Sequence, residues 1–156
     1  MIYGRFGDTS GRPYLEARLA LPHQNRWRLC PFIIDTGAER SVLMPTDSRL
    51  MGVDRSGLQR DATDGIGGHC DGYNSFAFII LHDEETSFLH NFRINVFIPD
   101  ESPDLFRIDS SILGRDVLDR LRLVYDKPNN QVTLDNFLAN ERLDAKGWNS
   151  PRLRIR

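Results

Sequence analysis

The residues best suited to chemistry stand together at Asp35-Thr36-Gly37, where the apolar run Phe32-Ile33-Ile34 stops abruptly. A carboxylate at the end of a buried strand is costly unless something holds it or uses it. Beside it, Thr36 offers a hydroxyl that can bond across a junction, and Gly37 lets another backbone come close because it has no Cβ. Metal-free hydrolysis of a peptide bond needs one carboxylate to take a proton from water and another to give one to the carbonyl. Asp-Thr-Gly occurs once in the chain. If the chemistry needs two such aspartates, the second must come from another copy. Two further stretches follow: the glycine-rich Asp64-Gly65-Ile66-Gly67-Gly68 and Ile112-Leu113-Gly114-Arg115-Asp116.

Short strands must carry these motifs. In Tyr14 to Leu21, Leu15, Ala17, Leu19 and Leu21 face one way while Glu16 and Arg18 face the other, the pattern of a half-buried strand. A polar turn at 22–26 sends the chain back through Trp27 to Ile34, which delivers Asp35. Pro31 has no N–H to donate, so it belongs away from a neighbour or near an edge. Val42 and Leu43 read as the next strand, Ser48 to Met51 as a short helical stretch, and Leu58 to Ala62 as the approach to the glycines. Three glycines in four positions suit a flexible hairpin tip. Tyr73 to Leu81 and Phe88 to Ile98 are strands, as is Ile108 to Leu113 before Gly114. Arg115 to Leu121 has helical spacing, with Val117, Leu118 and Leu121 on one side. Leu123 to Leu134 is a hairpin around Pro128-Asn129-Asn130. A short helix is expected around Phe137 to Leu143, within a tail that ends in Arg152, Arg154 and Arg156. Many short strands with glycine-marked turns make an all-β, barrel-like fold.

At 156 residues, one domain is expected. Hydrophobic content of 40% and charged content of 27% describe an ordinary globular protein. A net charge of −2 gives no general pull toward nucleic acid or anionic membrane. No stretch approaches the roughly 20 apolar residues of a membrane span. The start of the chain shows no basic-then-apolar signal pattern, and Cys30 and Cys70 make no disulfide framework, so a cytoplasmic location is expected.

Apolar-Asp-Thr-Gly-Ala, a glycine-rich tip and apolar-apolar-Gly-Arg-Asp, in that order, resemble the retropepsin family of retroviral-type aspartic proteases. The likeness runs from about Pro13 to Leu134, and in its C-terminal hairpin it is nearest to the cellular and bacterial single-domain members. It implies a closed, six-stranded acid-protease barrel with one short C-terminal helix, used as a homodimer. The protease domain would span 1–135, with 136–156 as a tail that is partly helical or disordered. By this resemblance Asp35 is the catalytic acid/base, Thr36 locks the two active-site loops together, and Gly37 leaves room for substrate. Ala38, Glu39, Arg40, Val42 and Ile112 fall at substrate-binding positions, and Asp64, Gly65, Ile66 and Gly67 at the flap that closes over a peptide. Arg40 departs from the pattern, which commonly has an acid there; so do His69 and Cys70 beside the tip. Arg115 would brace the loop through a bidentate bridge to Glu39. Two carboxylates a few ångströms apart share one proton, behaviour for which aspartic proteases are the standard example.

Each site has a plainer reading too. Leu113 suits core as well as pocket, the glycine tip suits any mobile hairpin, and Arg115 with Glu39 suits a surface ion pair. The chain lacks Gly-x-Ser-x-Gly. His69-Cys70 with His82 is a poor zinc set, because no Cys/His pairs recur. No cofactor or metal is expected. Two functions remain: an aspartic endopeptidase whose partners are a second copy and a peptide or protein substrate, or a dimerisation or peptide-binding module with little proteolysis. The intact Asp35-Thr36-Gly37 favours the first.

Overall fold

A computed structural model describes residues 1–65, 68–108 and 110–146. Ten strands form one branched sheet. The chain opens with β1 (Ile2–Phe6), then the hairpin of β2 (Pro13–Leu21) and β3 (Arg26–Ile34). Its pairing runs from Tyr14 opposite Ile33 to Leu21 opposite Arg26. The alternation in β2 works as its pattern requires: Leu15, Ala17, Leu19 and Leu21 are buried. Between the strands, Pro22–Gln24 form a 3-10 turn, and Asn25 closes it in the left-handed region at φ 50°, a conformation asparagine tolerates.

Helix α1 (Pro45–Met51) follows, with proline in its first turn and Gly52 as its left-handed cap. It starts earlier than the Ser48 expected from sequence. Strand β4 (Gln59–Gly65) pairs with the first half of β5 (Gly68–Asp83), down to Gly65 opposite Gly68. From Gly72 to Asp83, β5 also pairs with β6 (Phe88–Pro99), so one long strand serves two hairpins that overlap at residues 72–74. After β7 (Ser111–Leu113) come α2 (Arg115–Leu118), the hairpin β8 (Arg122–Asp126) and β9 (Gln131–Asp135), and β10 (Glu141–Asp144). No described helix is long and apolar enough to cross a membrane.

The sheet is all but entirely antiparallel; β3 and β7 run parallel. Phe32, Phe92, Phe97, Leu19, Ile79, Leu113 and Leu134 are among its fully buried side chains. Truncating one such phenylalanine to alanine costs about 3–5 kcal/mol.

Four sequence expectations need correction. The barrel is not closed. The strand order β10-β6-β5-β2-β1-β9-β8 leaves β10 and β8 as unjoined ends among the described residues. The cause is β2, which carries β3 along one edge and divides the other between β1 at Pro13–Tyr14 and β5 at Arg18–Ala20, so the ladder branches. Val42 and Leu43 form no strand, because their N–H groups donate to different strands, at Ile112 and Phe97. Helix α2 ends at Leu118, three residues short. Arg120 and Leu121 bond back to Val117 and Leu118, tightening the chain into a 3-10-like turn. No helix forms around Phe137 to Leu143. The Leu138 N–H donates to Arg120 O at 2.7 Å and the Asn140 N–H to Asn91 O at 2.9 Å, and the chain then pairs with β6 as β10. Phe137 meanwhile packs on the His90 ring at 4.1 Å between centroids.

Candidate active site

Strand β3 ends at Ile34, paired with Leu113 of β7, and the next residue is Asp35. The Asp35 N–H donates to Leu113 O at 3.1 Å, which ties the acid to the strand beside Gly114. Its Oδ1 accepts the Gly37 N–H at 2.9 Å, and its carbonyl accepts the Ala38 N–H at 3.2 Å. A tight turn therefore holds the carboxylate half-buried, with Thr36 and Gly37 exposed beside it. Among the described residues, no hydrogen bond joins Asp35 to a second carboxylate.

The loop after Asp35 is stitched down on both sides. Val42 and Ile112 exchange two backbone hydrogen bonds, each 2.9 Å. Leu43 N–H donates to Phe97 O at 2.9 Å, and Phe97 N–H to Ser41 O at 3.1 Å, so the loop lies between β7 and β6. The first turn of a helix has N–H groups without helical partners. In α2 two of them reach this loop: Arg115 N–H to Ala38 O at 2.8 Å and Asp116 N–H to Glu39 O at 3.2 Å. Gly114 makes that approach feasible. A Cβ there would sit 2.4 Å from the Arg40 carbonyl carbon and 2.9 Å from Ser41 N.

The side-chain brace comes from the neighbour of the residue singled out in the sequence. Arg115 and Glu39 meet only at 3.7 Å, both well exposed, and make no bidentate bridge. An ion pair of that kind contributes little. Asp116 instead accepts the Ser41 N–H at 2.9 Å and the Ser41 hydroxyl at 2.7 Å. Ser41 Oγ in turn accepts the Gly114 N–H at 3.1 Å. Asp116 was visible as the last residue of Ile-Leu-Gly-Arg-Asp; what marks it is an acid in the first turn of a helix.

Arg40 points to the β4–β5 hairpin. One guanidinium nitrogen donates to Asp61 Oδ2 at 2.7 Å and Asn74 Oδ1 at 3.0 Å; the other donates to Ala62 O at 3.1 Å. Its face lies over the Phe97 ring, 4.5 Å from the centroid. The Arg40 hydrogen bond first, then the Ala62 backbone and Asn74, hold the Asp61 carboxyl down at about 2. Neither Asp61 nor Asn74 was singled out in the sequence.

Asp35 to Arg40, Val42, Ile112 and Arg115 are thus gathered by one loop, β7 and the start of α2. Asp64 and Gly65 stand apart on the exposed outer part of the hairpin, and Ile66 and Gly67 lie outside the described residues. Asp64 Oδ1 is 2.8 Å from Nδ1 of His69, whose Nε2 is 3.0 Å from Asp71 Oδ1. Those two carboxylates, Asp64 first, raise the His69 pKa. His82 lies far along the same strand from His69 and Cys70, out of reach as a common metal ligand. Burial pushes the Cys30 thiol up to about 12, too high for a nucleophile near neutral pH.

No protein-family model matches this chain, and no curated protein does. Solved structures do. A retropepsin-like aspartic protease from Rickettsia conorii superposes with a TM-score of 0.56 at 19% identity, covering 85% of this chain and 88% of that one. The EIAV protease, solved with the inhibitor HBY-793, is similar at a TM-score of 0.49 and 19% identity, covering 72% of this chain and 90% of that chain. The mostly-β architecture of this chain is the retropepsin-like fold.

Proposed function

We propose that the chain is an aspartic endopeptidase that works as a homodimer. The observation that carries this is the Asp35 loop. A half-buried carboxylate is held by the Gly37 N–H, inside a loop fastened to β7, β6 and α2. That rigidity suits a group that must meet its copy at a fixed distance. The retropepsin-like fold supports the reading without carrying the activity.

In this mechanism each copy supplies one Asp35, and the pair shares a proton. The ionised member takes a proton from a water between them as that water attacks the peptide carbonyl. The protonated member gives its proton to the carbonyl oxygen, forming a neutral gem-diol. Collapse breaks the C–N bond, with a proton passing from an aspartate to the leaving amine. Val42 and Ile112, both half-buried beside the loop, offer apolar surface to substrate side chains. The glycine-rich hairpin covers the peptide. Thr36, exposed next to Asp35, bonds the partner's loop in this reading.

One observation favours a second reading. Strand β8 has no neighbour on its outer edge among the described residues, and Val124 and Tyr125 on it are exposed. A module that only self-associates or binds peptides would also use such an edge. Incubation with a peptide library near pH 5, with Asp35→Asn and Asp35→Ala as controls, separates the two. Cleavage by the unaltered chain, lost in both variants while sedimentation shows the same assembly, supports the protease. Full activity in Asp35→Ala removes it.

A further inference from the structure

We infer that Arg40 is a positioning residue that couples the β4–β5 hairpin to the Asp35 loop, and is not a contact for substrate. The inference rests on the protease reading for its kinetic consequence, but the coupling itself stands on geometry. Arg40 sits five residues after Asp35, and its neighbour Ser41 is buried and bonded to Asp116 and Phe97. The loop end of the link is therefore fixed. At the hairpin end, the guanidinium spans both strands: Asp61 and Ala62 belong to β4, Asn74 to β5. Gln59 opposite Asn74 begins the pairing of these strands, so the link grips the stem.

This differs from a lone surface ion pair. The Arg40 and Asp61 side chains are about one-quarter to one-third exposed. Three acceptors and an aromatic face hold one planar group, an arrangement that lysine's single ammonium cannot reproduce. Three of the guanidinium's five N–H donors already have acceptors and one face is on Phe97, which leaves little of the group for a peptide. The link also holds in acid. Asp61 stays ionised at pH 5, where shared-proton chemistry runs. A hairpin so anchored holds its stem, Gln59 to Ala62 and Gly72 to Asn74, in a fixed relation to the Asp35 loop.

The full-length chain and its variants Arg40→Ala, Arg40→Lys, Asp61→Asn and Arg40→Ala/Asp61→Asn test this, with backbone amide exchange over residues 59–65 and 68–74 and steady-state peptide cleavage. Asp61→Asn keeps side-chain size, so it remains informative where Arg40→Ala folds poorly. The coupling predicts about tenfold faster exchange in both stem strands for each single variant. It also predicts about a tenfold fall in kcat with little change in KM, and a double variant no worse than either single one. Arg40→Lys should rescue little. Additive losses, or unchanged exchange, overturn the inference. So does a KM rise in Arg40→Ala alone, confined to acidic peptides, which would make Arg40 a substrate contact. If the unaltered chain cleaves nothing while both single variants loosen the stem, the coupling stands and the protease reading falls.

Discussion

Ser41 and Asp116 lie 75 residues apart in sequence and are bonded twice, backbone N–H and hydroxyl to the two oxygens of one carboxylate. Ser41 is fully buried. Removing the acid therefore strands two buried donors, at about 1–3 kcal/mol for each group left unpaired. Asp116→Ala should lower stability by about 2 kcal/mol or more in urea unfolding. Arg115→Ala, which loses only the exposed pair with Glu39, should change it by less than about 1 kcal/mol. Equal effects would mean that the brace is not the Asp116 carboxylate.

The closeness of Gly114 to the loop gives a second expectation. A Cβ at this position meets backbone, not the end of a flexible side chain. The loop must shift, so Gly114→Ala should cost cleavage about a hundredfold, since small misplacements of reacting groups are that expensive. The fold should survive, as read by circular dichroism. Gly65→Ala, where a Cβ meets nothing within 4 Å, should be mild by comparison. A fully active Gly114→Ala would show that the loop yields without displacing Asp35.

His69 makes the hairpin sensitive to pH. Its pKa is raised by the hydrogen bond with Asp64, then by Asp71. A raised pKa means that the charged clip is fully present below the ordinary histidine value near 6.5 and is lost as pH climbs through the folded value. Neutral imidazole donates only one proton, so one of the two carboxylates is then released. Asp64 and Asp71 are both exposed, so salt should weaken the effect. Corrected for the intrinsic rise of exchange with pH, amide protection at 64–65 and 68–71 should fall as pH climbs above the ordinary histidine value, and His69→Gln should remove that fall. A profile unchanged by the substitution would leave His69 without this role.

The parts of this fold that could be read in the sequence are those with local causes. Alternation in Tyr14 to Leu21 marked a strand because one face meets the core, while Phe88 to Ile98 kept its strand although Leu89, Asn91 and Phe97 on the other face are buried too. Pro128-Asn129-Asn130 marked a turn because those residues suit its geometry, and Asp35-Thr36-Gly37 stood out because a carboxylate rarely ends an apolar run. What escaped was decided at a distance. Whether Val42 and Leu43 form a strand depends on Ile112 and Phe97, which take their N–H groups in different directions. The helix expected around Phe137 to Leu143 lost to carbonyls of Arg120 and Asn91 and to an available edge of β6. Arg40 was read from its position beside the acid, but its partners Asp61 and Asn74 follow only from the register of β4 on β5. Arg115, read as a brace on Glu39, proves to be the plainer surface pair, and Asp116 went unread because only the helix turn decides which neighbour faces Ser41.

The open edge of β8 offers a place for the homodimer of the proposed function to form, and a point change tests it better than a deletion does. Deleting residues 122–156 would also remove β9, which pairs with Ile2, Tyr3 and Gly4 of β1. The resulting loss would confuse assembly with folding. A point change on β8 avoids that. Val124 is exposed, and Tyr125, more exposed still, leans edge-on against Phe6 at 5.0 Å. Val124→Lys therefore disturbs the monomer least. Lysine on an open edge strand opposes strand-to-strand association. The variant should unfold at nearly the same urea concentration as the unaltered chain, sediment as a monomer, and lose cleavage, because one chain carries one Asp35. Mixing it with Asp35→Asn protein should restore no activity, since neither contributes a working pair. A Val124→Lys chain that sediments as a dimer and still cleaves would move the interface elsewhere; the outer edge of β10, where Leu143 is exposed, is the next place to look.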